Sequence, residues 1–400
     1  MACPGICGCL SNFQKMEHCE RSRGGFSMDK LKIALVGAGR RGSGSYLPII
    51  AKMDDDLELV GICDVDAEKA EEQANKYDVP HFTDIADMVE SARPDIAAVV
   101  VNPNRNHEAG IPLSEMGVSY CTETPIDTDL GWADKMIATA NENNTKLEVC
   151  ENYYRVPGER IKRALILEGL FGQVLMAYND FNGHGYHGVG LIRSYIGFDV
   201  KVTRVIGMRK NFSVQSHSYR GGSYEKEDWQ HGIIEFENGS VGIFNFSGLS
   251  YGSPLRWYNT SKFYAERGMC VGDGKRSYTG NEQIAILNDE ANERLPIIVE
   301  RRTTQAKDGT EVLDALIART NPDTGLEVVW ENPLSKYPLS DGQLSVASEI
   351  MSIADAHRND TEPEYGALNG RVDQEVALAM GKSWATENAP VELPLPVEAR

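Results

Sequence analysis

No apolar run in this chain approaches the roughly 20 residues that cross a bilayer; the longest is IAAVVV at Ile96 to Val101. The expectation is a soluble protein with no membrane partner. A basic excess is missing too: Asp and Glu number 59 against 40 Lys and Arg, for a net charge of −19. Such a balance disfavours nucleic acid and anionic surfaces as partners. Residues 1–27 have no long apolar core of a secretory signal, and the expected compartment is the cytoplasm. They hold Cys3, Cys7, Cys9, His18 and Cys19 without a paired CxxC spacing. Met28 then opens MDKLKIALVGAG just ahead of an apolar run. Residues 1–27 are therefore read as a disordered extension or misassigned start rather than a metal site. The remaining cysteines, Cys63, Cys121, Cys150 and Cys270, are scattered, three of them in or beside strand-like runs. Small buried thiols fit that placement better than a disulfide framework. Internal repeats and low-complexity blocks are absent.

What is present begins at Lys32, with KIALVGAGRRGSGSYL. An apolar run feeds Gly37, Gly39 and Gly42, and a helical pattern follows, the form of a strand, a phosphate-binding turn and a helix N-terminus. Gly37 permits the turn, Gly39 lets backbone approach a pyrophosphate, and Gly42 lets the helix pack on the strand. N–H groups at the helix start then face the phosphates. A second apolar run, LELVGIC at Leu57 to Cys63, ends in Asp64, 22 residues beyond Gly42. An acid there accepts hydrogen bonds from ribose hydroxyls, and Asp64 with Asp66 would repel a 2′-phosphate, which favours NAD over NADP. Arg40 and Arg41 keep NADP open, although their place inside the turn suits pyrophosphate or solvent better.

The chain's 400 residues suggest two domains of ordinary size. From 28 to 150, strand-like runs alternate with helical patterns such as Ala67 to Tyr77 and Trp132 to Asn143, which implies a doubly wound, mostly parallel sheet. Ligands in such sheets sit outside the strand C-termini. From 151 to 400 the runs lengthen, at Gln173 to Asn182, Lys201 to Asn211, His231 to Glu237, Ser240 to Phe246 and Lys262 to Arg267. Asn238-Gly239 between two of them is a hairpin signal. The fold class is α/β: an N-terminal Rossmann domain, then an α/β domain with an open, largely antiparallel sheet. Asp273 to Asn332 is polar and irregular in pattern. Helical patterns return at Asp341 to Asn359 and Leu368 to Thr386, with room to pack back on the first domain.

Together these segments resemble the Gfo/Idh/MocA oxidoreductase family. The resemblance runs from Lys30 to Leu395 and rests on the order of VGAGRRG, Asp64, VVVNPNRNH, CTETP, HGVGLIRSYIG, DWQHGIIEFENGSVG and APVELPL. It implies a nicotinamide ring held between the domains, and an open sheet that often makes the oligomer interface, here a homodimer or homotetramer. By resemblance Asn102 and Pro103 shape the cofactor turn, Glu123 contacts the nicotinamide-side ribose, and His107 lies near the cleft on the following helix. The alternative for His107 is a helix-start residue bonded to backbone.

Most hydride-transferring relatives carry Glu-Lys-Pro where this chain has Glu123-Thr124-Pro125. A threonine hydroxyl cannot act as acid or base near neutral pH. Replacement proton carriers are sought in GHGYH, where His187 aligns with the family's site histidine, and Tyr186 and His184 stand beside it. Family aspartates four residues before and three after that histidine are Gly183 and Gly190 here, so His187 lacks its usual orienting acid. Tyr186 would serve as an acid if a nearby cation lowered its pKa. The alternative for this segment is a packing loop or a weak HxxH metal pair, insufficient for zinc without a third ligand.

Just after the last Rossmann strand come Glu151, Asn152, Tyr153, Tyr154 and Arg155. Tyr153 and Arg155 are read as ligands for sugar hydroxyls or a carboxylate. Arg193, Tyr195, the histidine His184 and the turn Lys226-Glu227-Asp228-Trp229 are further candidates, Lys226 as a spatial substitute for the lost lysine. Three functions compete. One is an NAD-dependent dehydrogenase acting on a sugar, polyol or sugar derivative. The second is an NAD-dependent glycosidase with no net redox change, and the third a non-catalytic NAD-binding protein.

Overall fold

In the computed structural model, which describes residues 30–272, 283–320 and 325–396, the first apolar run becomes β1 (Leu31–Val36). It is buried from Ile33 to Val36 without alternation, as a strand covered on both faces must be. Five parallel partners complete the sheet: β2 (Leu57–Cys63), β3 (His81–Phe82), β4 (Ile96–Val99), β5 (Ser119–Thr122) and β6 (Leu147–Val149). Their order is β3-β2-β1-β4-β5-β6. The chain leaves β1 toward β2 on one side and returns through β4 on the other, so a crevice opens between the ends of β1 and β4. Segment 1–27 lies outside the described residues.

Helices cover both faces: α1 (Leu47–Lys52), α2 (Ala67–Tyr77), α3 (Ile85–Ala92), α4 (Asn106–Glu115) and α5 (Leu130–Glu142). Their starts follow from local chemistry. Asp84 and Asp129 stand in extended backbone and accept N–H bonds from the first turns of α3 and α5, satisfying donors the helix cannot. Cys63, Cys121, Cys150 and Cys270 are all buried.

After α6 (Pro157–Leu167) and β7 (Val174–Asp180), helix α7 (Gly185–Ile196) leads into a long hairpin, β8 (Val202–Tyr219) and β9 (Gly222–Phe236). Next comes β10 (Val241–Ser247), joined to β9 through Asn238-Gly239 as an antiparallel pair. The strands β11 (Thr260–Ala265), β12 (Gly268–Val271), β13 (Gln283–Asn288), β14 (Glu293–Gln305), β15 (Glu311–Arg319) and β16 (Glu327–Glu331) extend the sheet, and β17 (Val391–Glu392) closes its other edge. All pairs are antiparallel except β7 with β10. The polar stretch after residue 273 is thus not irregular where it is described, since β13 to β16 lie in it. Its polar residues face outward along edge-side strands, and alternation is diluted there by charged residues such as Arg301 and Arg302.

Of the last two helices, α8 (Asp341–Asn359) packs on β4, β5 and β6 of the first sheet, while α9 (Gly366–Ala385) joins α6 and α7 in covering one face of the large sheet. Contact is close: a Cβ on Gly242 would stand 2.6 Å from Ile192, and one on Gly232 2.5 Å from Met380. Both C-terminal helices thus reach the first sheet. Gly370 of α9 lies against Val149, with an added Cβ 2.7 Å away, and Arg371 pairs with Asp134 of α5 at 2.8 Å. The two sheets are therefore bolted together beside the C-terminal ends of β4, β5 and β6.

Candidate active site

The three glycines after β1 occupy three different environments. Gly37 has φ +103°, and a Cβ there would fall 2.2 Å from the Val100 carbonyl oxygen. A Cβ on Gly42 would fall 2.1 Å from the Gly37 oxygen, whereas Gly39 has nothing within 4 Å. Two glycines are thus fixed by the protein's own backbone, and the middle one faces open space, as a cradle for a ligand's phosphates must. The helix that follows begins with a wide turn at Gly42–Tyr46. Asp64 at the end of β2 accepts from Ala38 N at 2.7 Å and Asp66 N at 2.9 Å. Its carboxylate is held beside the glycine turn. Arg40 is exposed, while Arg41 reaches across to Glu123, Nε to Oε1 at 2.6 Å. Burial opposes charge on Arg41, but Glu123 outweighs it and holds the guanidinium protonated.

At the end of β5, Glu123-Thr124-Pro125 is a turn with a cis Thr124–Pro125 bond. Asn106, fully buried on α4, donates to the carbonyls of Glu123 and Pro125 at 3.0 and 2.9 Å. Asn102 stands in extended backbone and Pro103 begins a short 3-10 turn ahead of α4. His107 is held by a side chain and not by backbone: its Nδ1 lies 2.8 Å from Asp127, and its ring stacks on Trp132 at 4.1 Å.

The second half of the site comes from the segment before and inside α7. His187 is 8% exposed, and its Nδ1 lies 2.7 Å from Oε2 of Glu151. A carboxylate only accepts, so Nδ1 carries a proton and, in the neutral ring, Nε2 is the atom with the lone pair. Glu151 is itself fixed by Tyr153 N, 3.0 Å from Oε1. The orienting acid inferred to be missing is therefore present, supplied from the end of β6 rather than from α7. Gly190 makes room for it, because a Cβ there would stand 3.2 Å from Glu151 Cγ and 2.7 Å from Asp373. Gly183 is equally constrained, its Cβ position lying 2.9 Å from the Gly188 nitrogen.

Around His187 stand Tyr153, Tyr186 and His184, ring centroids 4.5, 4.6 and 4.9 Å away. Tyr186 donates to the Thr124 carbonyl at 3.3 Å, joining α7 to the turn after β5. His184 Nε2 lies 3.3 Å from the Tyr186 hydroxyl, and Nδ1 lies 2.5 Å from Tyr251. Because the Tyr186 proton is committed to Thr124, His184 donates at Nε2 and accepts from Tyr251 at Nδ1. Burial, with His187 adding repulsion, pushes the His184 imidazolium down to about 4. Tyr186 was read as an acid helped by a cation; burial instead raises its pKa, and the neighbouring charges are Glu151 and Glu123. It is a hydrogen-bond donor, held protonated.

Two proposed ligands lie elsewhere. Arg155 has no exposed side-chain surface and pairs with Glu148 at 2.5 Å and Glu364 at 3.0 Å. Arg193 is bound to Asp373 at 2.6 Å and to the carbonyl of Phe198 at 2.8 Å. Arg155 ties β6 to α8 and to the loop before α9, and Arg193 ties α7 to α9, because a buried guanidinium requires a paired acid. Tyr195 donates to buried Glu159, and Lys226 is exposed on β9 opposite Ser213, so it does not replace the missing lysine. Nothing in the local sequence marks Tyr251 or Asn106; only the fold brings them to the cluster. Among the described residues, no group of three or more His, Cys, Asp or Glu is arranged to hold a metal. None of the described helices is long and apolar enough to cross a membrane.

Residues 31–151 match the family model described as an oxidoreductase family with an NAD-binding Rossmann fold, GFO_IDH_MocA. The match spans the segment that builds the first sheet and its helices. Among curated relatives, the chain is 24% identical over 241 residues to D-glucoside 3-dehydrogenase of Escherichia coli K12. That alignment covers 53% of the chain and 68% of the relative. It is 26% identical over 167 residues to glycosyl hydrolase family 109 protein 1 of Akkermansia muciniphila, covering 38% of the chain but 34% of that protein. The chain thus spans only about a third of the latter's length. A solved levoglucosan dehydrogenase, in complex with NADH and levoglucosan, shares its fold with TM-score 0.68 and 16% identity, over 92% of this chain and 100% of that one.

Proposed function

We propose that this protein is an NAD-dependent oxidoreductase that removes hydride from, or returns it to, a secondary hydroxyl carbon of a sugar, polyol or sugar derivative. The observation that carries the reading is the Glu151–His187 pair: a buried carboxylate fixes Nδ1 and leaves Nε2 as base, inside an aromatic cage. Residues 28–150 would be the cofactor domain and 151–400 the substrate domain. Open space at Gly39 and the carboxylates of Asp64 and Glu123, at the ends of β2 and β5 on either side of the β1–β4 crevice, fit a dinucleotide. Asp64 would take the adenosine ribose and disfavour the 2′-phosphate of NADP. Glu123 would leave Arg41 to take the other ribose. NAD, when bound, supplies the hydride acceptor.

His187 Nε2 would receive the hydroxyl proton, and Glu151 would stabilise the imidazolium that forms. Tyr186 and His184 would bind the substrate's oxygens as neutral groups, while Tyr153 and Tyr251 exclude water from the reacting carbon. Mass spectrometry of the purified protein for bound NAD or NADP, followed by a sugar and glycoside panel scored for NADH and for aglycone, tests this. Failure to bind either nucleotide at millimolar concentration overturns it.

The second reading, an NAD-dependent glycosidase without net redox, is favoured by the two imidazoles and Tyr186 converging where Thr124 replaces lysine. Aglycone release without accumulated NADH would select it. A non-catalytic NAD-binding protein would bind nucleotide and turn over nothing. For the partner, the uncovered face of the large sheet bears Met208, Phe212, Ile233 and Tyr264, all substantially exposed. A homo-oligomer formed through that face would bury them. Cytoplasmic location is the companion expectation.

A further inference from the structure

The tip of the β8–β9 hairpin reaches the same cluster from another side. Arg220 and Gly221 form its two-residue turn, with φ +48° and +79°, between the paired residues Tyr219 and Gly222. Positive φ at both positions marks the turn whose twist suits a short hairpin, and Asn, Asp or Gly usually occupies it. A long cationic side chain at the first position runs against that local preference.

Three contacts fasten the tip to the loop after β10. The Tyr219 hydroxyl donates to the Tyr251 carbonyl, His217 Nε2 lies 2.8 Å from Ser253 Oγ, and Arg256 grips Glu227 with two bonds of 2.9 and 2.6 Å. So held, the Arg220 guanidinium carbon lies 5.4 Å from the centre of the Tyr251 ring and 5.3 Å from that of Tyr219. Tyr251 in turn bonds His184, whose ring packs on His187. Arg41, Arg155 and Arg193 are neutralised by Glu123, Glu148 and Asp373. Arg220 has no carboxylate partner among the described residues.

We propose that Arg220 receives an anionic substituent of the substrate, in the first instance a carboxylate, so that the sugar is an acidic one. This rests on the sugar-oxidoreductase reading above. The planar guanidinium fork matches a carboxylate in two parallel bonds. A chain of net charge −19 repels anions at long range, so their capture needs a local cation acting inside the screening length of about 8 Å.

The test is calorimetric titration of the NAD-loaded protein with matched pairs: methyl β-D-glucuronide against methyl β-D-glucoside, and the two galacto counterparts. Glucose 6-phosphate distinguishes phosphate from carboxylate as the anionic group. The uronide is expected to bind at least about tenfold more tightly than its neutral twin. Arg220→Asn, which suits the turn, should erase that difference while leaving the neutral sugar's affinity unchanged, and Arg220→Lys should keep part of it. A preference for the phosphate that Arg220→Asn removes also supports the anion site. Equal or tighter binding of the neutral twin overturns the proposal alone, as does equal weakening of both ligands in Arg220→Asn. Absence of binding by every sugar, with NAD retained, overturns the sugar reading and this proposal with it.

Discussion

Glu151 Oε2 lies 2.7 Å from His187 Nδ1, in space that the missing side chain of Gly190 leaves open. The acid and the gap belong together: adding a Cβ at residue 190 would press on both Glu151 and Asp373. Glu151→Gln is expected to lower kcat by about 10²-fold or more, since an amide neither stabilises an imidazolium nor fixes one tautomer. NAD affinity should remain within about twofold. His187→Ala should abolish turnover with the same nucleotide affinity. Steady-state kinetics beside nucleotide titration checks both, and undiminished kcat in either variant removes the pair from the mechanism.

His184 gives stability a pH dependence whose sign is fixed by its environment. Its folded pKa is about 4 against an ordinary 6.5, so the unfolded chain takes up a proton first as pH falls. The stability it contributes is complete above pH 6.5 and is lost between 6.5 and 4, up to about 3 kcal/mol. His184→Gln should flatten this limb of a plot of unfolding free energy against pH. An unchanged slope between pH 6.5 and 4 would contradict the assignment.

Glu349 shows the opposite sign. It is fully buried on α8, neither carboxyl oxygen has a hydrogen-bond partner, and burial with Glu123 nearby raises its pKa well above 4.5. The folded protein keeps a proton that the unfolded chain releases above pH 4.5, so this group makes stability fall as pH rises above 4.5. Glu349→Gln should preserve the fold and remove that decline. Comparison of thermal melts upward from pH 4.5, variant against unaltered protein, measures it, and equal declines in the two would refute it.

Substitutions in the glycine turn should separate folding from binding. Gly42→Ala places a methyl 2.1 Å from the Gly37 oxygen and should cost about 1–3 kcal/mol of stability. Gly39→Ala meets nothing in the protein, so its Tm should hold while NAD affinity falls tenfold or more. Asp64→Ala should narrow the preference for NAD over NADP. Denaturant melts and nucleotide titrations give the comparison, and equal loss of stability in the two glycine variants would defeat the argument.

Ile233 and Met208 lie on the uncovered face of the large sheet, exposed by 42% and 38%. Ile233→Glu should dissociate a homo-oligomer built on that face without unfolding the chain. Sedimentation of the original protein as a monomer would rule out the interface.

Much of the fold is written in local pattern. The buried run of β1, the glycine turn and Asp64 are contiguous or follow one another at fixed spacing, so periodicity and turn chemistry reveal them. Strands β13 to β16 escaped because surface charges along edge-side strands hide alternation. Arg155 and Arg193 misled for a related reason: guanidinium chemistry is the same in a binding site and in a buried ion pair, and only packing tells them apart.

The sequence by itself determined the local parts of the first sheet, the glycine turn, and Glu123-Thr124-Pro125 where the family it resembles carries Glu-Lys-Pro. Tertiary structure decided which acid serves His187. Glu151 is 36 residues away in the chain, and so is Tyr195 from its acid; Tyr251 is 67 from His184. Such pairings carry no periodic signal, because hydrogen bonds form between atoms that the fold brings within 3 Å or so, whatever length of chain lies between them.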